Sequence, residues 1–502
     1  MGYQHSMVTL TNFLQRLQHC TYKALQKNFK TQRSAILQEK GLEIRNNLLF
    51  SALKRESMKY LLSLSLSMII MLCGKGQNTR QYPSRTEIIA PMHKSSFNDS
   101  ASCPERMQGG NPGMVNGLLA FNGSMDGNRQ VDPQIAVGGG YVMHGTNSGL
   151  IIYNKKGEFI QGVSQKCFNN GIDPKMFYDV HNSVFVFDLW WYYDKPKVKP
   201  VNISVSETNN PLGAWNTYPV PAQNGVDGGG IGYSKKWIGY SFPGGKERTF
   251  ILKTAEAKAG QPATIYHFEG SLGHPVFGQD DTEALYFFEI ARKEFIIRKI
   301  AEDEKGIPYA VVVSQQPHHL KFIEYPPQSP QKGTTQKVSS GDRNPKNIVL
   351  QNDHLWFSQA INKDDHAAVQ WHQINANDGT IVQSGLINND SSNYIQTTLA
   401  VNKKNDVLIG FQETSANSFI SPRVAYRMGN DNPGTIREII SLGEGKGATD
   451  GVSWGDYSGS IIDGENLNDL WTIQSITNDK GKGETIIAKL PFGKKKLVKA
   501  KK

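Results

Sequence analysis

Acidic side chains recur immediately before short apolar segments along most of the chain. Two of these segments are DPQIAVGG, which opens at Asp132, and DPKMFYD, which opens at Asp173. Carboxylate oxygens suit Ca²⁺, which takes about six to eight oxygen ligands. If the segments converge at one end, Asp132, Asp173, Asp227 and Asp456 are predicted to hold a calcium ion. The alternative is structural, because Asp before a strand commonly closes a turn through its own backbone.

Histidine, arginine and tyrosine side chains in the early repeats suggest a second kind of chemistry. A His or Tyr base beside an arginine that neutralises a carboxylate is what β-elimination of a uronic acid requires, since the C5 proton must become acidic and be removed. The candidate catalytic residues are His144, His181, Arg248 and Tyr266. The alternative is that they are ordinary surface histidines and core tyrosines. The histidines show none of the close spacing of a zinc site.

Aromatic side chains form a third set, because their flat faces can stack on pyranose rings. The run LWWYYD begins at Leu189, and the stretch WGDY begins at Trp454. The candidate ligand-binding residues are Tyr178, Trp190, Trp191, Trp454 and Tyr457. Packing within the fold is the alternative for each of them.

The elements that must position these residues are short β-strands, since alternating apolar runs bounded by Gly, Asn, Asp and Pro replace any long helical pattern. Seven turn-strand-turn-strand segments recur at spacings of 41, 54, 53, 64, 49 and 63 residues. They open at Asp132, Asp173, Asp227, Asp280, Asn344, Asn393 and Asp456. A second hairpin follows each of the first six, so each of these repeats is a four-stranded meander.

Repeated meanders of this kind predict an all-β fold, a β-propeller with seven four-stranded blades over residues 114–492. The last repeat has only ETIIAKLPF after its first hairpin, whereas GLLAFNG at 117–123 lies upstream of the first repeat. We therefore expect this N-terminal strand to complete the last blade and close the ring, which removes exposed sheet edges. A six-bladed propeller and a two-sheet sandwich are the alternatives.

An export signal is predicted near the N-terminus. Lys59 precedes the apolar run Leu61–Leu72, and a polar region follows. Twelve residues are too few to span a membrane, so residues 58–73 are predicted to be a signal peptide. Residues 1–57 are then an upstream extension that is not translated; a cytoplasmic extension before an uncleaved anchor is the alternative. Cys73 resembles a lipid-attachment site, although Leu72 stands where a small residue is usual, and simple cleavage is equally open.

Export would place the cysteines in an oxidising compartment. Cys103 and Cys167 are predicted to form a disulfide in an oxidising compartment, with two buried thiols as the alternative. Residues 74–113 are polar and are predicted to be a linker. Residues 493–502 form a basic tail.

The charge distribution argues against a nucleic-acid partner. The net charge is +10, of which residues 1–57 contribute +6 and the six lysines of 493–502 contribute another +6, leaving about −2 for residues 58–492. A nearly neutral body has no basic face for nucleic acid. We expect a monomer in the secreted fraction or the cell envelope, where Cys73 gives the sole membrane attachment.

The quoted segments VDPQIAVG, DPKMFYD, IGYSKKWIGYS and WGDYSG together resemble a group of secreted bacterial β-propeller proteins that are broadly sialidase-like in fold. The resemblance covers about residues 114–492. NNPLGAW at 209–215 is similar to the Asp-box turn of sialidases, but the strict Ser-x-Asp-x-Gly-x-x-Trp form does not occur. Proteins of this group are mostly without an assigned activity. Because the sequence carries no catalytic signature, we expect an exported propeller that binds an extracellular polysaccharide or surface ligand at its axial funnel. The alternative is a polysaccharide lyase or a glycoside hydrolase.

Overall fold

The computed structural model describes residues 79–94, 109–125, 127, 131–164, 172–190, 199–222, 227–291, 293–318, 320, 324–451 and 453–492. These residues lie within one compact unit, Asn78–Lys502. The predicted signal peptide, the extension at 1–57, the basic tail, Cys103, Cys167 and Trp191 lie outside the described residues. In the ranges that are described, no helix is both long enough and apolar enough to cross a membrane.

The regular secondary structure of the described residues is almost entirely β, with 32 strands and one short helix. Strands β1 to β12 span Arg85–Ile89, Met92–Lys94, Gly110–Val115, Leu118–Asn122, Gln134–Gly138, Tyr141–Thr146, Gly149–Asn154, Phe159–Ser164, Ile172–Asp179, Val184–Trp190, Lys199–Ser206 and Trp215–Ala222. Strands β13 to β21 span Gly230–Tyr233, Trp237–Ser241, Glu247–Lys253, Ala263–Glu269, His274–Pro275, Phe277–Gly278, Tyr286–Ile290, Glu294–Glu302 and Pro308–Pro317. Strands β22 to β32 span Ile348–Gln351, His354–Lys363, His366–Asn375, Ile381–Ile387, Asn393–Val401, Val407–Ser415, Ser418–Arg427, Glu438–Ser441, Gly459–Ile462, Leu470–Thr477 and Gly483–Leu490. Helix α1, Thr254–Lys258, lies between β15 and β16.

The strands form a β-propeller in which five blades are separate antiparallel sheets of four or five strands. Their strand orders are β5-β6-β7-β8, β2-β12-β11-β10-β9, β17-β19-β20-β21, β26-β27-β28-β29 and β3-β4-β32-β31-β30. Inner strands contact one another in the sequence β5, β9, β13, β18, β22, β26 and β30, and β30 contacts β5 again. All described residues of β5, β13, β22, β26 and β30 are buried, as expected for strands covered on both faces.

The prediction of seven separate four-stranded blades is wrong, because the structure has five blades. The other ten strands form one continuous sheet, in the order β1-β16-β15-β14-β13-β18-β22-β23-β24-β25. The join is β18, which pairs in parallel with β13 through Tyr233 and Phe277 and with β22 through Phe277 and Val349. A strand of two residues carries no periodicity, so the repeat pattern gave no sign of this join.

The predicted strand at 117–123 does pair with the C-terminal sheet. Strand β4 runs antiparallel to β32, with Ala120 opposite Ala488 and Phe121 opposite Ile487. The Phe121 ring lies 5.1 Å from the Tyr153 ring and 6.4 Å from the Trp471 ring, measured between centroids. This one side chain therefore joins the first sheet in the chain to the last.

Residues 79–94 form an N-terminal strap across the outer edges of three sheets, in a region that the sequence analysis assigned to a polar linker. Gln81 bridges to Ala310 in β21, β1 pairs with β16, and β2 pairs with β12. The alternating burial of RTEII in β1 is the pattern of a strand on a sheet edge. Covering these edges removes unpaired backbone groups that would otherwise invite association.

Candidate ligand-binding site

The beginnings of several inner strands surround a cavity of about 290 Å³, which we call the start-side cavity. Asp173, Asp227, Asp456 and Tyr457 line it. Each of these residues lies at or before the start of its strand, because a turn must precede each inner strand. Carboxylates from three of the repeats therefore lie at one end of the inner strands.

Asp173 is the most enclosed of the lining carboxyls. Its Oδ2 accepts a hydrogen bond of 3.1 Å from Trp190 Nε1, and its backbone N–H donates to Asn147 Oδ1 at 2.8 Å. Burial raises the pKa of Asp173, the positive charge of Lys175 opposes the rise, and the negative charges of Asp227 and Asp456 add to it. A carboxyl of this kind holds its proton to a higher pH than an exposed one.

Asp132, the fourth predicted metal ligand, lies behind Asp456 and does not line the cavity. Its Oδ1 accepts the backbone N–H of Asp456 at 2.5 Å, and its Oδ2 accepts Asn147 Nδ2 at 2.7 Å. Burial, with a further contribution from the charge of Asp173, raises the pKa of Asp132 to about 7. Asp132 therefore supports the turn that positions Asp456.

Lys175 brings a positive charge into the wall of the cavity. Its Nζ lies 3.8 Å from the centroid of the Tyr457 ring, a cation–π geometry, and donates to the carbonyl oxygen of Asp173 at 3.3 Å. Its backbone N–H donates to Asp188 Oδ1 at 2.8 Å. Burial raises the pKa of Tyr457 well above its usual value, so the hydroxyl keeps its proton and donates to Pro174 O at 3.2 Å.

The remaining wall carries His274 and an Asp342–Lys346 pair. His274 Nδ1 donates to Pro275 O at 2.8 Å, and burial lowers the pKa of His274 to about 4, so the ring is neutral at pH 7. Lys346 Nζ lies 3.6 Å from Asp342 Oδ2. A Cβ on Gly230 would lie 2.5 Å from His274 Nε2, so only glycine leaves room for this ring.

The four aspartates are not arranged as a metal site. Within the ranges that the structure describes, no group of three or more His, Cys, Asp or Glu side chains is placed to hold a metal ion. The physical reason is that Asp132 and Asp173 direct oxygens at backbone and side-chain N–H donors rather than at a common point. The calcium assignment stays a prediction without support from this geometry.

The four candidate catalytic residues do not meet in one described cavity. His144 is fully buried, accepts Ser124 N–H at Nε2 over 3.1 Å, and has its pKa lowered to about 4 by burial. His181 lies at the opposite ends of the inner strands and bonds Gly278 O at 2.8 Å. Arg248 Nε donates to Gly245 O at 3.0 Å within its own hairpin. Tyr266 lies in β16, with its ring 6.0 Å from that of Trp237.

Most of the candidate stacking residues pack within the fold. Tyr178 is 3% exposed and packs edge-on against Phe185 at 4.9 Å. Trp454 is 1% exposed and donates from Nε1 to Gln412 Oε1 at 2.8 Å. Trp190 supports Asp173, as described above. Among the described members of this set, Tyr457 is the one that lines the start-side cavity.

Sequence reasoning missed four titratable residues that line the cavity: Lys175, His274, Asp342 and Lys346. A signal existed for Lys175, because residues two apart in a strand face the same side and Asp173 was already a candidate. It also missed that GVSWG at 451–455 has the Gly-x-Ser-x-Gly spacing of a hydrolase nucleophile elbow. Such an elbow joins a strand to a helix, whereas β30 follows Ser453, so the structural context is absent.

No protein-family profile and no curated protein matches this chain. Solved structures with a similar outline include a eukaryotic initiation factor, at 9% identity and a TM-score of 0.32 over 77% of this chain and 97% of that one. Apo AztD from Citrobacter koseri is 11% identical, with a TM-score of 0.29 over 73% of this chain and 96% of that one. The endo-arabinase from Bacteroides thetaiotaomicron is 10% identical, with a TM-score of 0.30 over 64% of this chain and 94% of that one. Scores this low carry no argument, so the propeller assignment rests on the strand pairings.

Proposed function

We propose that this protein is an exported β-propeller that binds an extracellular polysaccharide in the start-side cavity. The observation that carries the proposal is that cavity, where carboxylates, an ammonium group and an aromatic ring converge from several sheets. Sites of this kind, with a few polar groups placed by a rigid ring of strands, are the usual locations of ligands. The signal-like segment at 58–73 supports export to the cell envelope, where we expect the protein to act as a monomer.

The charges of the cavity favour an uncharged glycan. Lys346 is paired with Asp342, and Lys175 lies against Tyr457. Asp227 and Asp456 therefore face the space with no ion pair to any described residue. Glycan hydroxyls both donate and accept hydrogen bonds, so they match carboxylates and an ammonium together. A uronate carboxylate would instead be repelled by these aspartates.

A glycan-binding panel tests this proposal. We expect the purified protein to be retained on neutral polysaccharides and to bind uronate-rich polymers more weakly at the same ionic strength. Loss of retention when soluble neutral oligosaccharide is added would support a specific site. Failure to bind every neutral polysaccharide, or a preference for uronate polymers that persists in salt, would overturn it.

A second candidate function is glycoside hydrolysis, and the state of Asp173 favours it. Hydrolysis by the common route needs one protonated carboxyl as the acid and one ionised carboxylate as the base or nucleophile. The raised pKa of Asp173 suits the acid, and Asp227 or Asp456 supplies the second carboxylate in the same cavity. New reducing ends that appear with wild-type protein and disappear with Asp173→Asn would establish hydrolysis. An unsaturated product that absorbs in the ultraviolet would instead establish a lyase. If neither product appears, the proposed function is binding without turnover.

A further inference from the structure

A second and larger cavity, of about 550 Å³, lies where the inner strands end, and we call it the end-side cavity. His181 follows β9, Lys235 follows β13, Gln351 ends β22 and Lys403 follows β26, and all four residues line it. Because Asp173 lies near the start of β9 and His181 lies beyond its end, the two cavities open at opposite ends of the same strands. The end-side cavity is therefore a separate site.

Two buried carboxamide oxygens in residues that line this cavity have no hydrogen-bond partner. Gln351 Nε2 donates to Asp280 Oδ1 at 3.1 Å and to Asn352 Oδ1 at 3.2 Å, which fixes the orientation of the amide. Gln351 Oε1 is then left without a donor among the described residues, and so is Gln279 Oε1. Gln351 is 2% exposed and Gln279 is 5% exposed, so bulk water does not satisfy these oxygens freely.

The charges around the end-side cavity are largely compensated. Lys235 pairs with Asp281 at 2.7 Å. Asp280 already accepts the backbone N–H groups of Asn352 at 2.7 Å and Asp353 at 2.8 Å. The lining holds two lysines, Lys235 and Lys403, and two aspartates, Asp280 and Asp281, so it offers neither a cationic nor an anionic ligand a net countercharge.

An apolar wall completes the cavity. The apolar side chains of Val180, Ile462 and Leu467 line the cavity together with the polar amides. A sugar ring has the matching properties, because its hydroxyl groups donate hydrogen bonds and its C–H face packs on apolar side chains. The volume lies within the range of about 300–1,000 Å³ that is typical of small-molecule sites.

We propose that the end-side cavity is a second binding site, which takes a neutral polyhydroxylated ligand of the class of uncharged disaccharides. Its hydroxyl groups donate to Gln279 Oε1 and Gln351 Oε1, and its C–H face packs on Val180 and Ile462. This site does not depend on the function proposed for the start-side cavity.

Calorimetric titration of the full chain tests this site with three neutral disaccharides, cellobiose, lactose and trehalose, and with the cationic dimer of glucosamine. We expect at least one neutral disaccharide to bind and the cationic dimer to bind more weakly. Gln279→Met should lower the affinity about tenfold, the loss of one buried hydrogen bond, and Val180→Trp should abolish binding by filling the space. Gln315→Met, a matched change on an exposed outer strand, should leave the affinity unchanged.

The thermal transition of each variant is recorded in parallel, so that loss of binding is not confused with loss of fold. The proposal is overturned if no neutral disaccharide binds, or if the cationic dimer binds best. It is also overturned if the neutral disaccharide binds equally well to Gln279→Met and Val180→Trp, because the ligand then lies elsewhere. A variant at the start-side cavity, Asp227→Asn, separates the two sites, since it should not alter this titration.

Discussion

Asp132 and Asp188 each contact a residue that lines the start-side cavity, and their titration also affects the stability of the fold. Both are buried, and burial raises the pKa of each to about 7. In the unfolded chain each would titrate near its ordinary value of 3.8. Between these two pH values each of these carboxyls binds more protons in the folded state than in the unfolded state, so its contribution to stability falls as the pH rises.

We therefore predict that these two carboxyls contribute stability that is lost between about pH 4 and pH 7, at about 1.4 kcal/mol per unit of pKa shift. Because burial lowers the pKa of His144 and His274 to about 4, those rings contribute in the opposite sense over the same range, so the difference between a variant and the wild type isolates the carboxyls. Asp132→Asn removes one of the two groups while keeping an oxygen acceptor for Asp456 N–H. Its thermal midpoint should exceed that of the wild type at pH 8 and match it near pH 4. Asp365→Asn, at an exposed turn residue, is the matched control and should show no such difference. A difference in thermal midpoint between Asp132→Asn and the wild type that does not grow from pH 4 to pH 8 would contradict this prediction.

The sequence predicted part of this residue cluster and not the rest. Asp173, Asp227 and Asp456 could be found because a polar turn residue opens each repeat. Whether Asp132 lines the cavity or supports it depends on the path of the loop around Gly455, which has a φ of 149° and which no repeat pattern encodes. His144 and Trp454 were chosen by residue type, but type does not distinguish a buried packing role from a site.

At the scale of elements, short strands far apart in the sequence hold the sheets together. The strap at 79–94 covers three sheet edges, and β4 adds to the C-terminal sheet. The pairing of β4 was predictable, because the last repeat lacked a strand and an upstream one was unassigned. The join at β18 was not, since a strand of two residues shows no alternation in the sequence.

Phe121 tests the role of β4 in joining the first and last sheets. The side chain is 3% exposed and packs against Tyr153 and Trp471. Phe121→Ala should lower the free energy of unfolding by about 3–5 kcal/mol, as measured by denaturant titration. Met114→Ala on the neighbouring strand β3 should change it by less than about 0.5 kcal/mol, because Met114 is 68% exposed. Similar losses in the two variants would show that β4 does not have this role.

At the scale of the whole molecule, the two cavities lie at opposite ends of the same inner strands, and the proposed export would determine which ligands reach them. The export proposal rests on the apolar run Leu61–Leu72 after Lys59. We predict that Leu64→Arg blocks export in a bacterial host, because a charge in the apolar run prevents its recognition, whereas Leu64→Ile is exported normally. Fractionation followed by N-terminal sequencing measures both. An exported chain that retains residues before Met58 would contradict the predicted start.

The central claim is that the start-side cavity binds a neutral glycan, and the affinity of a paired carboxylate variant tests it most directly. Asp227→Asn combined with Asp456→Asn removes two lining carboxylates, and Asp364→Asn combined with Asp365→Asn is a matched pair in an exposed turn. The two double variants and the wild type are titrated with a neutral oligosaccharide whose parent polysaccharide binds in the glycan panel. The double variant in the cavity should have about tenfold lower affinity, because hydrogen bonds to charged groups are lost. The double variant in the turn should have the affinity of the wild type. Equal affinity for the wild type and the cavity pair would contradict the account.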